Sequence, residues 1–155
     1  MGKRNNSKVV VGEYGVNPFV ASLVIDVTNV TDRDSGENYL IECDKSVKTY
    51  RGIDNRDRLM SLPVMCNKLL EYVRFKLEPG VDVVRLTAIE FMELTGVKSD
   101  KTFYTACIEL ARAGIISPVA GKKSLYFINP SVIFMGSRIN AYPGKVRIVS
   151  SFSKK

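Results

Sequence analysis

The sequence contains no histidine, and this absence excludes the catalytic sites of many enzymes. Ser-His triads and Cys-His dyads need an imidazole base, and most zinc sites use imidazole ligands. The three cysteines, Cys43, Cys66 and Cys107, are too few and too scattered for a disulfide framework. Cys66 and Cys107 lie in apolar helical patterns, which favours buried thiols in a reducing cytoplasm. We therefore expect a cytoplasmic protein that is not an enzyme and that binds no metal or other cofactor.

Long apolar runs are also missing. The longest nearly uncharged run, residues 19–25, is too short to cross a bilayer, and no signal peptide is visible. The apolar fraction of 45% over 155 residues is that of an ordinary globular protein. These features predict one domain with an accessory segment and no membrane partner.

Acidic residues are absent after Glu109, although the chain has sixteen of them. Residues 1–60 carry nine Lys or Arg and nine Asp or Glu, and residues 61–115 carry seven of each. The net charge of +7 therefore comes entirely from residues 116–155. A surplus confined to one part of the chain favours a polyanionic partner. The alternative is a solvated basic tail, which Lys154 and Lys155 fit equally well.

The first third of the chain is rich in Val, Ile, Thr and Phe. "KVVVGEYG" and "FVASLVIDVTNVT" predict strands, "DSGE" (residues 34–37) predicts a turn, and "YLIECD" predicts the returning strand. We expect residues 1–55 to form a small β-rich N-terminal segment that serves as a dimerisation arm.

The apolar spacing then becomes helical. Residues 59–73 predict a first helix, in which Pro63 implies a break or a start one turn later. "VDVVRL" predicts a short strand, and Thr87 with Glu90 predicts a capping box at the start of a second helix that Gly96 ends.

A third helix and a hairpin follow. Ser99 as N-cap and Gly114 as terminator delimit the helix, and "ISPV", "AGKKS" and "LYFIN" predict a hairpin with two lysines at its tip. Asn129-Pro130 predicts the start of another helix, and "KVRIVSSF" predicts a last strand. This order of elements is that of a winged helix-turn-helix, whose third helix enters the major groove of DNA. The predicted class is α+β, with a DNA-binding domain over residues 56–138 and a basic strand and tail over 139–155.

The third helix has two distinct sides when its residues are placed about 100° apart. One side is apolar and predicts packing on the first two helices; it consists of Phe103, Ala106, Cys107, Leu110 and Ala111. The other side collects Lys101, Tyr104, Thr105, Ile108 and Arg112. Thr105 is suited to a base edge or a thymine methyl group, and Arg112 to a phosphate. Ser99 and Thr102 lie near the helix N-terminus, whose amide groups favour an anion.

Lys122 and Lys123 at the hairpin tip are suited to phosphates beside the groove. Lysines at hairpin tips also guard against edge aggregation, which is the competing explanation. Arg138 or the basic tail would add further positive charge.

Two segments together resemble a known family. "TGVKSDKTFYTACIELARAGIIS" and "GKKSLYFINPSVIFMGSR" are similar to the RepL-type plasmid replication initiation proteins of Gram-positive bacteria. The matching positions are Thr95-Gly96, Ser99, Thr102, Leu110, Gly114-Ile115-Ile116, Asn129-Pro130, Met135-Gly136 and Arg138. The resemblance covers residues 85–138, and "DSGE" is similar to a turn in the first third of that family. It implies binding to double-stranded origin DNA, melting or bending by several copies, and recruitment of host replication proteins.

Two other functions remain open at this stage. A winged-helix transcriptional regulator would use the same surface with a different output. A phage structural or assembly protein would use the fold for protein contacts, and the apolar Ile108 within the polar side of the third helix favours this alternative.

Overall fold

The computed structural model describes residues 9–42 and 62–154. Within these ranges the protein is of mixed α+β class, with four helices and two three-stranded sheets. The helices are α1 (Val64–Lys76), α2 (Ala88–Thr95), α3 (Asp100–Arg112) and α4 (Arg138–Ala141). The strands are β1 (Ile25–Asp32), β2 (Asn38–Glu42), β3 (Val83–Arg85), β4 (Ile116–Pro118), β5 (Leu125–Ile128) and β6 (Val146–Lys154).

Helices α1, α2 and α3 enclose the main core through aromatic contacts. The Phe91 ring on α2 lies 5.9 Å from Tyr72 on α1 and 5.4 Å from Phe103 on α3, measured between centroids. Both phenylalanines are fully buried. Burial of large aromatic side chains contributes much of the hydrophobic free energy of folding. The three helices are therefore held as one unit, which fixes the outer side of α3.

The first sheet, in the order β3-β5-β4, closes this core. Strands β4 and β5 form the predicted antiparallel hairpin, with Ser117 opposite Phe127. Strand β3 pairs with the other edge of β5, so that Arg85 faces Leu125. Residues 85 and 125 thus lie side by side where the hairpin tip begins, which places the tip next to the start of α2.

The second sheet, in the order β2-β1-β6, joins distant parts of the chain. β1 and β2 form an antiparallel hairpin around the predicted "DSGE" turn, and β6 pairs with β1 in parallel. One residue of β6, Val149, is bulged out of this pairing. The strands of the predicted N-terminal segment therefore share a sheet with the predicted C-terminal strand. A separate β-rich N-terminal segment is not established.

The ends of α2 and α3 are where the sequence predicts them. Thr87 accepts a hydrogen bond from the Glu90 amide, and Gly96 ends α2 with φ of 75°. Ser99 is the N-cap of α3, and after the helix Gly114 adopts φ of 74°. The Gly114 and Ile115 amides donate to the carbonyls of Ala111 and Leu110, which is the Schellman arrangement.

Three predicted elements are different in the structure. Residues 20–22 form a 3-10 turn rather than a strand, because the Asn17 side chain accepts the Phe19 amide and starts a turn. The described part of "KVVVGEYG" makes a single parallel bridge, between Gly12 and Val119.

The third difference follows Asn129, where the predicted helix is only one turn. Asn129 receives the Val132 and Ile133 amides on its carbonyl, and its side chain accepts the Ser131 amide. Residues 132–134 are then completely buried, which an amphipathic surface helix over this run would not allow.

Of the two predicted domain boundaries, one lies within the described residues. The boundary between residues 55 and 56 lies outside the described residues, as do the first positions of the predicted first helix. Helix α1 begins at Val64 directly after Pro63, which agrees with a start one turn later. The boundary between residues 138 and 139 falls inside α4 (Arg138–Ala141).

Candidate nucleic-acid interface

Helix α3 has the two sides that its sequence predicts. The five apolar side chains expected inside are all buried: Phe103, Ala106, Cys107, Leu110 and Ala111. Four side chains of the other side are exposed: Lys101, Tyr104, Thr105 and Ile108. Tyr104 is 54% exposed and Ile108 is 44% exposed, so the outer side carries both polar and apolar groups.

The other α3 residues that were predicted to contact DNA lie in positions that are less suited to binding a polyanion. Ser99 is exposed at the helix start, and its side chain makes no capping hydrogen bond. Thr102 is only half-exposed. Arg112 is also half-buried, and its Nη1 lies 3.3 Å from Oε1 of the buried Glu109. A phosphate would have to compete with this carboxylate for the guanidinium, which argues against the predicted role of Arg112.

The hairpin tip is held in a defined conformation. Gly121 and Ser124 both have positive φ, of 70° and 65°, which allows the chain to reverse within a few residues. The Leu86 amide donates to the Ser124 carbonyl over 2.8 Å, which ties the tip to the end of β3. Lys122 and Lys123 project from this turn and are exposed.

A groove with a volume of about 470 Å³ brings the tip and the third helix together. Its lining includes residues 122–126 of the hairpin, Phe103 and Tyr104 of α3, and residues 87–89 at the start of α2. The lining holds two lysines and no carboxylate. An eight-residue helix also points its N-terminus at this groove, and that end carries partial positive charge. The groove therefore combines the positive charge of two lysines and a helix N-terminus with apolar lining residues such as Leu86, Phe103 and Leu125.

Tyr14 is a neighbour of the groove that the sequence did not indicate. The Lys122 ammonium group lies 5.0 Å from the centre of the Tyr14 ring, a cation–π distance. The segment before Tyr14 runs along β4: the Gly12 amide donates to the Pro118 carbonyl, and the Ala120 amide donates to the Gly12 carbonyl. Contacts between residues so distant in the chain leave no local pattern, so sequence reasoning could not have found this one.

Arg138 was predicted to contact DNA, and its position contradicts this. The residue is only 4% exposed, and its Nε donates to Oε1 of Glu42 over 3.0 Å. Its Nη1 donates to the Pro130 carbonyl over 2.9 Å. A buried guanidinium is paired because an isolated charge is costly to desolvate. Arg138 therefore has a structural role, and we remove it from the interface.

Two other basic residues of the C-terminal quarter, Lys145 and Arg147, do not line the groove. Arg147 is exposed on β6 and makes two hydrogen bonds with the Asp26 carboxylate, which raises its pKa. Lys145 donates to the Ala21 carbonyl over 3.3 Å. Of the described basic side chains in the C-terminal quarter, only those of Lys122 and Lys123 line the groove.

The two cysteine thiols near α3 have raised pKa values and a structural role. Burial raises the pKa of the Cys66 thiol to about 11, with a further contribution from the nearby Glu109 carboxylate. Burial raises the pKa of the Cys107 thiol to about 12, against a hydrogen bond with Tyr126 that lowers it. Such thiols stay protonated at neutral pH, so neither is a nucleophile there.

Two further observations concern residues 9–42 and 62–154 only. No group of three or more potential metal-ligating side chains occurs in them. No helix in these ranges combines the length and apolar character that crossing a membrane requires.

Comparison with models of protein families, with curated proteins and with solved structures found no match to this chain. The resemblance of residues 85–138 to plasmid replication initiators therefore stays a prediction.

Proposed function

We propose that residues 64–128 form a winged helix-turn-helix domain that binds double-stranded DNA. The order α1, β3, α2, α3, β4, β5, with the sheet order β3-β5-β4, supports this assignment. In such a domain α3 enters the major groove and the hairpin tip lies on the adjacent backbone.

The observation that carries the proposal is the shared groove of α3 and the hairpin. Tyr104, Lys122 and Lys123 line one concave surface, although the lysines follow the helix by a turn and a strand. A duplex lying against this surface would meet positive charge at the tip and the Tyr104 side chain on α3. The absence of carboxylates from the lining avoids repulsion of phosphates.

The exposed residues of α3 and the two tip lysines then have separate tasks. Thr105 is exposed on the outer side of α3 and short enough to reach a base edge without steric conflict. Lys101 and the exposed Ser99 lie in the first turn of the helix or just before it, where they would contact phosphates. Lys122 and Lys123 would neutralise backbone charge, which gives affinity without sequence preference.

The proposal is tested by selecting bound fragments from a random duplex pool and then measuring affinity at several salt concentrations. We expect an enriched sequence of defined length and a linear decrease of log affinity with log salt. Binding without any enriched sequence would contradict the reading role of α3. No salt-sensitive binding at all would contradict the whole proposal.

Initiation of replication at a plasmid or mobile-element origin is the more specific proposal, and it rests on the sequence resemblance alone. It is tested by asking whether a replicon that carries the gene and its enriched site is maintained, and whether loss of the gene abolishes maintenance. A regulator would instead change the expression of a neighbouring gene and leave maintenance intact.

A protein-binding use of the same surface is the second candidate. The exposed Ile89, Tyr104 and Ile108 are apolar or amphipathic and lie on α2 and α3. Exposed apolar groups of this kind are typical of protein interfaces. This function predicts that Ile108→Ser abolishes partner binding, whereas DNA retention by the wild-type protein would be negligible.

A further inference from the structure

Strand β2 is an edge strand without the usual protection against pairing. Among the described residues, β1 is its only neighbouring strand, so no described strand pairs with the other side of its backbone. Its three central residues, Tyr39, Leu40 and Ile41, are uncharged and between 37% and 42% exposed. Exposed edge strands in natural proteins commonly carry lysine, proline or a bulge that prevents association. β2 has none of these between Asn38 and Glu42.

The other edge of the same sheet has such protection. Strand β6 contains the irregularity at Val149, and it carries the exposed Arg147 near its start. The contrast within one sheet indicates that β6 is kept from pairing, whereas β2 is suited to it.

An antiparallel pairing of β2 with a second β2 is self-complementary. With a two-fold axis at Leu40, each Leu40 faces its symmetry copy, Tyr39 faces Ile41 of the partner subunit, and Asn38 faces Glu42 of the partner subunit. No two carboxylates face one another in this register. The facing pair of an aromatic and a β-branched side chain is among the more stabilising cross-strand pairs.

The same register extends an apolar row across the sheet. Val30 lies directly between Tyr39 on β2 and Phe152 on β6, and directly opposed residues share one face. Phe152 is half-exposed and Val30 is buried. The second copy would continue this row beyond Tyr39 and reduce the water contact of its ring.

We propose that the protein forms a two-fold dimer through antiparallel pairing of β2 with β2 of a second copy, giving one six-stranded sheet. The pairing is independent of DNA binding, because β2 belongs to the other sheet from the hairpin. Two winged domains joined in this way would recognise two half-sites in inverted orientation.

The test uses opposite charges at the two-fold axis. Leu40→Lys and Leu40→Asp each place two like charges directly opposite one another, so each should weaken the dimer about tenfold or more. An equimolar mixture should restore dimers, because lysine then faces aspartate. Sedimentation velocity in the absence of DNA measures the dimer fraction of the two variants and of their mixture. Ile148→Lys, at an exposed position on β6, is the matched control and should leave the dimer unchanged.

A second variant keeps the test decisive if the charged variants fail to fold. Leu40→Cys in a Cys43→Ser background places two thiols across the axis at a separation that a disulfide can bridge. Mild oxidation should give a covalent dimer, since Cys66 and Cys107 are buried. The proposal is overturned by a monomeric wild type at about 100 µM, by dimers indifferent to both Leu40 charges, or by absence of the cross-link.

Discussion

Arg138 donates a hydrogen bond from Nε to Oε1 of Glu42 over 3.0 Å, which joins the start of α4 to the end of β2. The guanidinium is buried, whereas the Glu42 side chain keeps some exposure to solvent. The pair therefore connects the sheet β2-β1-β6 to the turn after Asn129, since the Pro130 carbonyl also accepts a hydrogen bond from Arg138.

Replacing Glu42 should destabilise the protein because it removes the carboxylate that pairs with the buried Arg138 guanidinium. We expect Glu42→Ala to lower the free energy of unfolding by about 3 kcal/mol, as for other broken buried ion pairs. Urea denaturation at neutral pH measures this loss. Glu37→Ala, in the exposed turn of the same hairpin, should change stability by no more than about 0.5 kcal/mol. Equal losses in both variants would contradict the role of the pair.

Replacing both tip lysines should weaken DNA binding regardless of sequence. Lys122→Ala/Lys123→Ala removes two phosphate contacts, so the slope of log affinity against log salt should decrease by about 1.8. Titration of labelled duplexes at several salt concentrations gives this slope. Lys68→Ala, an exposed lysine on α1 away from the groove, should leave the slope unchanged. A double variant with the wild-type slope would mean that the tip does not lie on the backbone.

Replacing Thr105 should alter which sequence is preferred. Thr105→Ala removes a hydroxyl and a methyl group from the outer side of α3, so discrimination at one base position should fall by about 1–3 kcal/mol. Competition between the selected site and its single-base variants measures this difference. A uniform loss over all sequences would mean that α3 does not read bases.

Stability in acid should depend on Glu90. The Tyr72 hydroxyl donates to Glu90 over 2.5 Å, and Lys76 lies 3.1 Å from the same oxygen, so the pKa of Glu90 is lowered. The folded state therefore favours the ionised form of Glu90, which stabilises the protein at pH values above the ordinary pKa of 4.5. This stabilisation is lost as the pH falls through the lowered pKa. The thermal midpoint of Glu90→Gln should therefore vary less with pH between about 5 and 3 than that of the wild type. Glu93→Gln, on the exposed side of α2, should keep the wild-type dependence.

The buried thiols should report global unfolding. Because burial raises the pKa values of Cys66 and Cys107 to about 11 and 12, almost no thiolate is present at pH 8, and access is blocked. In a Cys43→Ser background we expect both thiols to resist a disulfide-exchange reagent until denaturant unfolds the protein. Their labelling rate should follow the equilibrium of unfolding measured by circular dichroism. Rapid labelling in the native state would mean that α1 and α3 separate locally.

The elements that depend on neighbouring residues were predictable from the sequence. Thr87 with Glu90, Gly96 and Gly114 define helix ends by local hydrogen bonding, and the structure places the ends there. Ser99 is the N-cap of α3 as predicted, although its side chain makes no capping hydrogen bond. The apolar side of α3 follows from its period alone. The α+β class was predicted for the same reason.

The parts that depend on distant residues were not predictable. Arg138 looks like a free surface cation in sequence, and only the return of β2 brings Glu42 beside it. Arg112 is similar, because the burial of Glu109 depends on how α3 packs. The parallel pairing of β1 with β6 and the contact of Tyr14 with Lys122 likewise need the complete tertiary structure.

The parallel pairing of β1 with β6 also affects the order of folding during synthesis. On a ribosome, residues 25–32 leave the exit tunnel long before residues 146–154 have been translated. Until then, one edge of β1 has no strand to pair with. The helical core can form earlier, since α1 to β5 lie close together in the chain. A nascent polypeptide stalled before residue 146 would therefore hold a folded helical unit and an incomplete sheet, a state that chaperones recognise.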